Sequence, residues 1–220
     1  MGSFFVTEFE PSVKLNEIKE KPIEHGRRYL SEFFAYFGIA DEEKIRAAIT
    51  LFEPRIYKRE TFFITAGEVA GKIGFIVHGA VEAYYINNAS KQTLMFLMEE
   101  DFFTDLKSFI HQRPSGLSLQ FAEDTIVLEI GYENFKNFML VHQDFAEMFI
   151  KIMSNVVSAM NEHNLLLKMP TRKRYELLLR KKPQVFNRFL LRDIASFLGI
   201  KQETLSRARS NYKKKVKAER

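Results

Sequence analysis

The stretch from residue 55 to residue 131 constrains the fold most, because it divides into short apolar runs at regular spacing. The runs are rich in Phe, Ile, Val, Tyr and Thr, and turn signals such as His78-Gly79 and Asn87-Asn88 separate them. We predict strands at 55–57, 61–64, 73–77, 80–86, 92–97, 117–121 and 125–130, and a short helix near 103–110. Many short strands at this spacing are typical of an antiparallel barrel or jelly roll.

The regions on either side of these runs have the periodicity of helices. In residues 28–51 we predict two helices, with Gly38 ending the first and Asp41 capping the second. Residues 1–28 are interrupted by prolines and by Gly26, so we expect only a poorly anchored lead-in there. The fold class that follows is α+β, with helices added to an antiparallel barrel.

Residues 144–168 carry the longest helical pattern. One apolar series within it steps by alternating three and four residues, as in a coiled-coil seam. Its members are Phe145, Phe149, Ile152, Val156, Ala159, His163 and Leu166. The pattern outlasts an ordinary globular helix, and we predict that it joins two copies of the chain along 145–167. A helix that packs only on its own barrel would carry a similar stripe, so that alternative stays open. The apolar surface is wider than one seam, as expected for a helix that buries one side on its barrel and the other on a second copy of the chain.

Charge is distributed very unevenly along the chain. Residues 168–220 contain 17 Lys or Arg against 4 Asp or Glu, a balance of +13, whereas residues 1–167 have a balance of −8. The basic end predicts a polyanionic partner for that part alone. Arg172, Lys173 and Arg174 stand in the first turn of a predicted helix, where cations oppose the helix dipole, and we interpret them as facing a phosphate backbone.

Residues 191–210 indicate a helix-turn-helix. Ala195 is small enough for a close helix crossing, and Gly199 can take the positive φ of a tight turn. A second helix over 202–211 would direct five side chains outward: Gln202, Glu203, Ser206, Arg207 and Ser210. These residue types contact base edges, while Lys213, Lys214 and Lys215 can meet phosphates. The pattern predicts binding to double-stranded DNA.

Several other classes of protein find little support. The absence of cysteine excludes disulfides, thiolate metal sites and iron–sulfur clusters, and it fits the cytoplasm. No apolar run is long enough for a membrane span, and residues 1–21 lack a signal-peptide core. A jelly-roll metalloenzyme is a competing class, but the five histidines are scattered and form no His-x-His pair. We expect no enzyme activity, no metal and no cofactor.

The C-terminal motif Ile194-Ala-Ser-Phe-Leu-Gly-Ile200, followed by Glu203-Thr-Leu-Ser-Arg207, resembles the DNA-binding helices of the Crp/Fnr (cyclic-AMP receptor protein) family. Upstream, Gly67-Glu68, Ile76-Val-His-Gly-Ala-Val81 and Asp101-Phe102 are similar to the cyclic-nucleotide-binding barrel of that family. The resemblance covers about residues 30–217. It implies a sensor barrel at 29–143 after a lead-in at 1–28, a dimerisation helix at 144–168 and a DNA-binding domain at 169–220.

The same resemblance implies particular site residues. Gln202, Glu203 and Arg207 match family positions that meet bases. An effector pocket would involve Phe102, Phe103, Thr104, Asp105, Arg113, Ser115, Gly116, Met160 and Asn161. The family holds a cyclic nucleotide with a Gly-Glu pair and an Arg-Ser pair, where this chain has Thr104-Asp105 and Ser115-Gly116. The phosphate-binding arginine is therefore absent from its usual position, and cyclic AMP is not expected to bind. We expect instead an empty pocket or an uncharged or apolar effector beneath Phe102, Phe103, Leu117 and Leu119.

The function implied is a homodimeric transcription regulator that binds inverted-repeat DNA. RNA polymerase is left open as a further partner, and the effector, if there is one, is not identified. One alternative is a regulator that does respond to a cyclic nucleotide, with Arg113 as a shifted phosphate ligand. Another is a cyclic-nucleotide sensor that controls an attached protein without contacting DNA. The chain stops soon after the second helix of the motif, so we expect the DNA-binding part to lack a β wing.

Overall fold

The computed structural model describes residues 20–218 of the 220-residue chain, with side chains for residues 20–212. It begins with α1 (Pro22–Tyr36) and α2 (Glu42–Thr50). The Asp41 carboxylate accepts hydrogen bonds from the Glu43 and Lys44 amides, so the predicted cap of α2 is confirmed.

The predicted lead-in is wrong over residues 22–28, and its residues 1–19 lie outside the described part. Pro22 stands in the first turn of α1, where a missing amide hydrogen costs nothing. Gly26 lies inside the same helix because α1 approaches the barrel closely there: a Cβ at Gly26 would be 2.7 Å from the Val77 side chain. Both residues therefore serve the helix that we expected them to break.

The predicted strands are present, with ends that differ by one or two residues. They are β1 (Glu53–Tyr57), β2 (Phe62–Ile64), β3 (Lys72–His78), β4 (Val81–Asn87), β5 (Ser90–Leu97), β7 (Ser118–Phe121) and β8 (Thr125–Gly131). The two-residue strand β6 (Phe102–Phe103) was not predicted, and the short helix is α3 (Leu106–His111). The strands form two four-stranded antiparallel sheets, β1-β8-β3-β6 and β2-β7-β4-β5, which together make a jelly-roll barrel.

Turn chemistry explains the tight connection between β3 and β4. Gly79 has a φ of +112°, and a Cβ there would lie 2.7 Å from the Thr125 backbone. Only glycine fits such a position without strain. The turn places β4 so that Val81 pairs with Leu97 of β5 and with Phe121 of β7.

Six helices follow the barrel: α4 (Tyr132–Val141), α5 (Gln143–Leu167), α6 (Thr171–Lys181), α7 (Val185–Arg188), α8 (Leu191–Phe197) and α9 (Gln202–Ala218). Helix α4 was not predicted. Helix α5 corresponds to the long predicted helix, and α9 extends further than expected. No helix within residues 20–218 is long and apolar enough to cross a membrane.

Two hydrophobic cores hold the chain together. The first fills the barrel and includes one face of α1, α4 and α5. The second gathers α6 to α9, which we call the C-terminal helices, and it also includes Ala80, Phe96 and Met98 from the barrel. The Phe96 ring lies 4.3 Å from the Phe189 ring and 5.2 Å from the Phe197 ring. The C-terminal helices therefore pack directly on β5.

Most of the stripe that we predicted as a dimer seam packs within the chain. Phe145 is buried in the barrel core, and Ile152, Val156 and Ala159 pack against the same core. The Phe149 ring contacts Phe135 of α4, while His163 and Leu166 pack on the C-terminal helices. The alternative of a helix packed on its own barrel holds for this stripe. The hydrophobic period detects a buried face but does not say which surface buries it.

A second apolar stripe on α5 is largely exposed to solvent. Ile150, Val157 and Met160 are 68%, 58% and 57% exposed, although all three are large and hydrophobic. Met153 lies between Ile150 and Val157 at the same alternating spacing and is half-buried. We call Ile150, Met153, Val157 and Met160 the outer stripe. Its exposure leaves a continuous apolar surface along the middle of the helix.

Candidate functional site

The two helices α8 and α9 meet through a turn that depends on Gly199, whose φ is +62°. The Gly199 amide donates to the Ser196 carbonyl, and the Ile200 amide donates to the Ala195 carbonyl at 3.0 Å. Ala195 is 2% exposed and Leu205, on the inner side of α9, is fully buried. The small residue, the turn and the apolar contact thus occupy the positions that the motif predicted.

The outer face of α9 is exposed to solvent. Gln202, Glu203, Ser206, Arg207 and Ser210 are all exposed. At 100° per residue, Glu203, Arg207 and Ser210 lie on the side of α9 opposite Leu205, and Gln202 and Ser206 lie towards its flanks. Lys213, Lys214 and Lys215 belong to the last turns of α9, and their side chains lie outside the described residues. An exposed α-helix with these donors and acceptors is of the right width for the major groove of DNA.

The cations at the start of α6 are partly explained by contacts within the chain, which corrects our interpretation of them. The Arg174 guanidinium donates to the Met169 carbonyl at 2.7 Å and to the Leu198 carbonyl, at the end of α8, at 2.8 Å. Carbonyls at a helix C-terminus are favourable partners for a cation. Arg172 pairs with Glu176 at 2.8 Å in the next turn of α6. Arg174 thus supports the turn at Gly199 from below, without need of a phosphate.

A cavity of about 440 Å³ lies between the barrel, α1, α2, α4 and α5. Five residues of the predicted effector pocket line it: Phe102, Phe103, Thr104, Asp105 and Met160. Four do not: Arg113, Ser115, Gly116 and Asn161. Arg113, Gly116 and Asn161 are exposed, whereas Ser115 is buried beside α3. Leu117 and Leu119 also line the cavity, as expected.

Much of the cavity wall comes from helices that the sequence reasoning left out of the site. Helices α1 and α2 contribute Phe33, Phe34 and Leu51, while α4 contributes Phe135 and Phe138. The phenylalanine-rich faces of these helices were visible in the sequence, but α4 itself was not predicted. The wall is apolar almost throughout, so the chemistry of this site is decided by the few polar residues at its edge.

Asp105 lies at the start of α3, where free backbone amides would otherwise favour an anion. Its carboxylate accepts hydrogen bonds from the Lys107 and Ser108 amides and so caps α3. The Ser115 hydroxyl lies 2.7 Å from the second Asp105 oxygen and contacts the Leu117 backbone as well. Ser115 is thus engaged within the chain, and the amides at the start of α3 already hold a negative charge.

Three groups of charged side chains join the C-terminal helices to the barrel. The Arg188 guanidinium pairs with Glu99, at 2.6 Å, and with Glu123. Lys91 pairs with Glu82 at 2.6 Å and with Asp193 at 3.3 Å, and Lys182 lies 4.0 Å from Asp101. We call these groups the interdomain ion pairs.

The pKa values of these groups reflect their burial and their partners. Burial alone would raise the pKa of Glu99, but the hydrogen bonds and the charge of Arg188 lower it below its ordinary value. Burial lowers the pKa of Lys182, and the nearby Asp101 opposes that effect. For Glu82 burial dominates, and its pKa is raised despite the contact with Lys91. The interface therefore holds several charges that depend on one another.

His163 stands at the same junction. Its ring lies 4.3 Å from the ring of Phe197 in α8, and its Nδ1 atom is buried without a hydrogen-bond partner. Burial lowers the pKa of His163 below its ordinary value. The contact between α5 and α8 therefore favours the neutral form of the imidazole.

Comparison with known proteins places this arrangement in context. Residues 54–142 match the family model described as the cyclic nucleotide-binding domain. A comparison with curated proteins gave no match. Within residues 20–218, no group of three or more His, Asp and Glu residues is placed to hold a metal ion.

Solved structures with a similar fold cover most of the chain. FixK2 from Bradyrhizobium japonicum has a TM-score of 0.62 and 20% identity, over 74% of this chain and 85% of its own. The c-di-GMP-responsive global regulator CLP of Xanthomonas campestris has a TM-score of 0.61 and 15% identity, over 80% and 93%. The catabolite activator protein of Thermus thermophilus has a TM-score of 0.50 and 17% identity, over 81% and 86%. At such identities the likeness establishes the fold.

Proposed function

We propose that this chain, a member of the Crp/Fnr family, is a homodimeric transcription regulator that binds DNA through α9. The observation that carries the proposal is the exposed outer face of α9, with Glu203 and Arg207 one turn apart opposite the buried Leu205 and Gln202 exposed at the start of the helix. Arg binds guanine in a bidentate manner, Gln can pair with adenine, and Glu accepts from the cytosine amino group. Residues 168–220 contain 17 basic residues against 4 acidic ones, and this positive charge adds attraction to the phosphate backbone.

The dimer interface that we propose is the outer stripe of α5 rather than the stripe expected from the sequence. Ile150, Val157 and Met160 are more than half exposed, although they stand on a 25-residue helix whose other apolar side is already buried. Pairing two such stripes around a two-fold axis would remove these side chains from water. A two-fold dimer would carry two copies of α9, one for each half-site of an inverted repeat.

We propose further that the barrel does not hold a cyclic nucleotide. A cyclic phosphate stays negatively charged at physiological pH, and burying it without a paired cation costs several kcal/mol. An arginine offsets this cost through a planar, bidentate contact, whereas one neutral hydroxyl contributes about 1 kcal/mol. Ser115 is already engaged with Asp105, whose carboxylate would repel the incoming phosphate. Arg113 is exposed and does not line the cavity.

Selection of bound sequences from a random DNA pool tests the DNA-binding proposal. We expect enrichment of an inverted repeat whose half-sites are centred about one helical turn, roughly 34 Å, apart. The matched control is the variant Gln202→Ala/Arg207→Ala, which keeps the fold and the C-terminal lysines and should enrich no defined sequence. Failure of the native chain to enrich any sequence would favour a sensor that acts without contacting DNA.

Calorimetric titration with cyclic AMP and cyclic GMP tests the proposal about the barrel. We expect no heat of binding at micromolar nucleotide. Micromolar binding that is abolished by Arg113→Ala would show that Arg113 moves inward and acts as a shifted phosphate ligand. That outcome would replace our proposal with a regulator that responds to a cyclic nucleotide.

A further inference from the structure

The cavity inside the barrel is large and already formed. Its volume of about 440 Å³ is within the range of small-molecule pockets. Aromatic contacts brace its walls: Phe102 lies 5.4 Å from Phe33 and 4.9 Å from Phe75, and Phe103 lies 4.5 Å from Phe63 between ring centroids. These ring–ring contacts hold the aromatic side chains of the wall against one another.

The polar residues at the edge of the cavity limit what that occupant can be. Two of them, Glu100 and Asp105, are carboxylates, and Asp105 is held in place as the cap of α3. The hydroxyl of Thr104 donates to the Lys72 carbonyl at 2.9 Å. Lys107 is the one cation among the described lining residues, and its side chain is exposed to solvent. An anionic group would therefore meet carboxylates without a buried cation to balance it.

A second copy of the chain would close this cavity without filling it. Met153 and Met160 belong both to the cavity wall and to the outer stripe of α5. A partner helix seated on that stripe would cover the cavity from outside, while the space between Phe102, Leu117 and Leu119 would remain. The occupant must therefore be a small molecule that sits beneath α5, next to the proposed dimer surface.

We propose that the cavity is a binding site for a neutral, apolar ring compound of about the size of a substituted naphthalene. Flat rings match the edges and faces that the surrounding phenylalanines present. A neutral ligand avoids the repulsion from Glu100 and Asp105. The role of this ligand as an effector rests on the proposed function as a transcription regulator. Binding of the ligand to the cavity does not rest on it, and the experiment below measures that binding without DNA.

Two fluorescent probes that differ by one charged group test the proposal. N-phenyl-1-naphthylamine is neutral, and 8-anilinonaphthalene-1-sulfonate is the same ring system with a sulfonate added. We expect the neutral probe to bind saturably at one site per chain, and the sulfonate to bind at least about tenfold more weakly. Equal binding of the two probes, or binding of neither, would overturn the proposal.

A pair of Leu→Trp variants then locates the bound probe. Leu117→Trp places a larger ring in the cavity, and Leu190→Trp makes the same change at a 49% exposed position on the C-terminal helices. We expect the first to weaken binding of the neutral probe at least about tenfold and the second to leave it unchanged. If circular dichroism shows that Leu117→Trp does not fold, Met153→Trp fills the cavity from α5 instead. Unchanged binding of the neutral probe to a folded Leu117→Trp or Met153→Trp protein would contradict the assignment of the cavity as its binding site.

The chain contains no tryptophan, so each variant carries a single reporter. In the Leu117→Trp protein the indole fluorescence should have its maximum at short wavelength, as expected for a dry apolar site. In the Leu190→Trp protein the indole should fluoresce as a solvated group. An indole at position 117 that emits like a solvated one would show that the cavity is open to water, and this would also contradict a site for apolar ligands.

Discussion

Arg207 stands on the outer face of α9, exposed and beside Glu203. We predict that Arg207→Ala weakens binding to the selected DNA site by about 1–3 kcal/mol and relaxes the preference at one base position. A Lys213→Ala/Lys214→Ala variant should instead weaken binding to all DNA alike and lower the salt dependence. Fluorescence anisotropy with the selected site, single-base variants of it and several salt concentrations separates the two effects. An Arg207→Ala protein with unchanged base preference would show that another surface reads the DNA.

His163 makes the packing of α5 on α8 sensitive to pH. Because burial lowers the pKa of this histidine in the folded chain, the unfolded chain binds the proton first as the pH falls below about 6.5. The contribution of His163 therefore destabilises the fold progressively from that pH down to the lowered pKa of the folded state. We predict that His163→Phe, which keeps a ring against Phe197, removes this part of the pH dependence.

The measurement is the free energy of unfolding in urea at several pH values between 5.5 and 7.5. The matched control is His111→Phe, because His111 is exposed on α3. The native chain and the control should lose stability in parallel over this range, and His163→Phe should lose less. Three parallel curves would place the responsible group elsewhere in the chain.

At the scale of one helix, α5 uses two apolar sides for two purposes. The inner side packs on the barrel, and the outer stripe is exposed. We predict that Ile150→Glu/Val157→Glu yields monomers, because like charges would face each other across the two-fold axis. Sedimentation velocity measures the change. We expect at least a tenfold rise in the dimer dissociation constant.

The control for this prediction is the double change Lys151→Glu/Ser158→Glu on the same helix. These exposed positions have the same spacing of seven residues but lie about 120–140° around the helix from the centre of the outer stripe. We expect this variant to remain dimeric. A dimer that survives glutamates at positions 150 and 157 would exclude the outer stripe as the interface.

At the scale of the whole molecule, the interdomain ion pairs tie the C-terminal helices to the barrel. Arg188 and Glu99 are only 18% and 6% exposed, so removing one partner leaves a buried charge. We predict that Arg188→Ala lowers the free energy of unfolding by about 3 kcal/mol, and that Arg192→Ala, at a 69% exposed position nearby, changes it by less than about 0.5 kcal/mol.

Urea unfolding followed by circular dichroism measures both variants. The lowered pKa of Glu99 also predicts how the effect of Arg188→Ala changes with pH. Stability from the Arg188–Glu99 pair is present above the ordinary carboxylate pKa and is lost as the pH falls through the lowered value. Arg188→Ala should therefore approach the native chain in stability at low pH. An equal difference at all pH values would mean that Arg188 acts through packing alone.

Local signals in the sequence determined the elements of this protein. Apolar runs at regular spacing predicted all but one strand of the barrel, because alternation and turn residues act over a few positions. Ala195 and Gly199 predicted the crossing and the turn of α8 and α9, since each serves a local steric need. The Asp41 cap and the length of α5 followed in the same way. Helix α4 was missed because it begins after Gly131 without a side-chain cap and contains no fully buried residue, so neither local signal marked it.

Tertiary structure alone decided which surface each element meets. The period of α5 was evident, but only the fold shows that Phe145, Ile152 and Val156 face the barrel while Ile150 and Val157 stay exposed. Partners distant in sequence, such as Arg188 with Glu99 or Lys91 with Asp193, leave no periodic trace in the chain. A sequence pattern records that a side chain will be buried or charged. Its partner depends on how the whole chain closes, because burial and ion pairing are properties of two surfaces that the fold brings together.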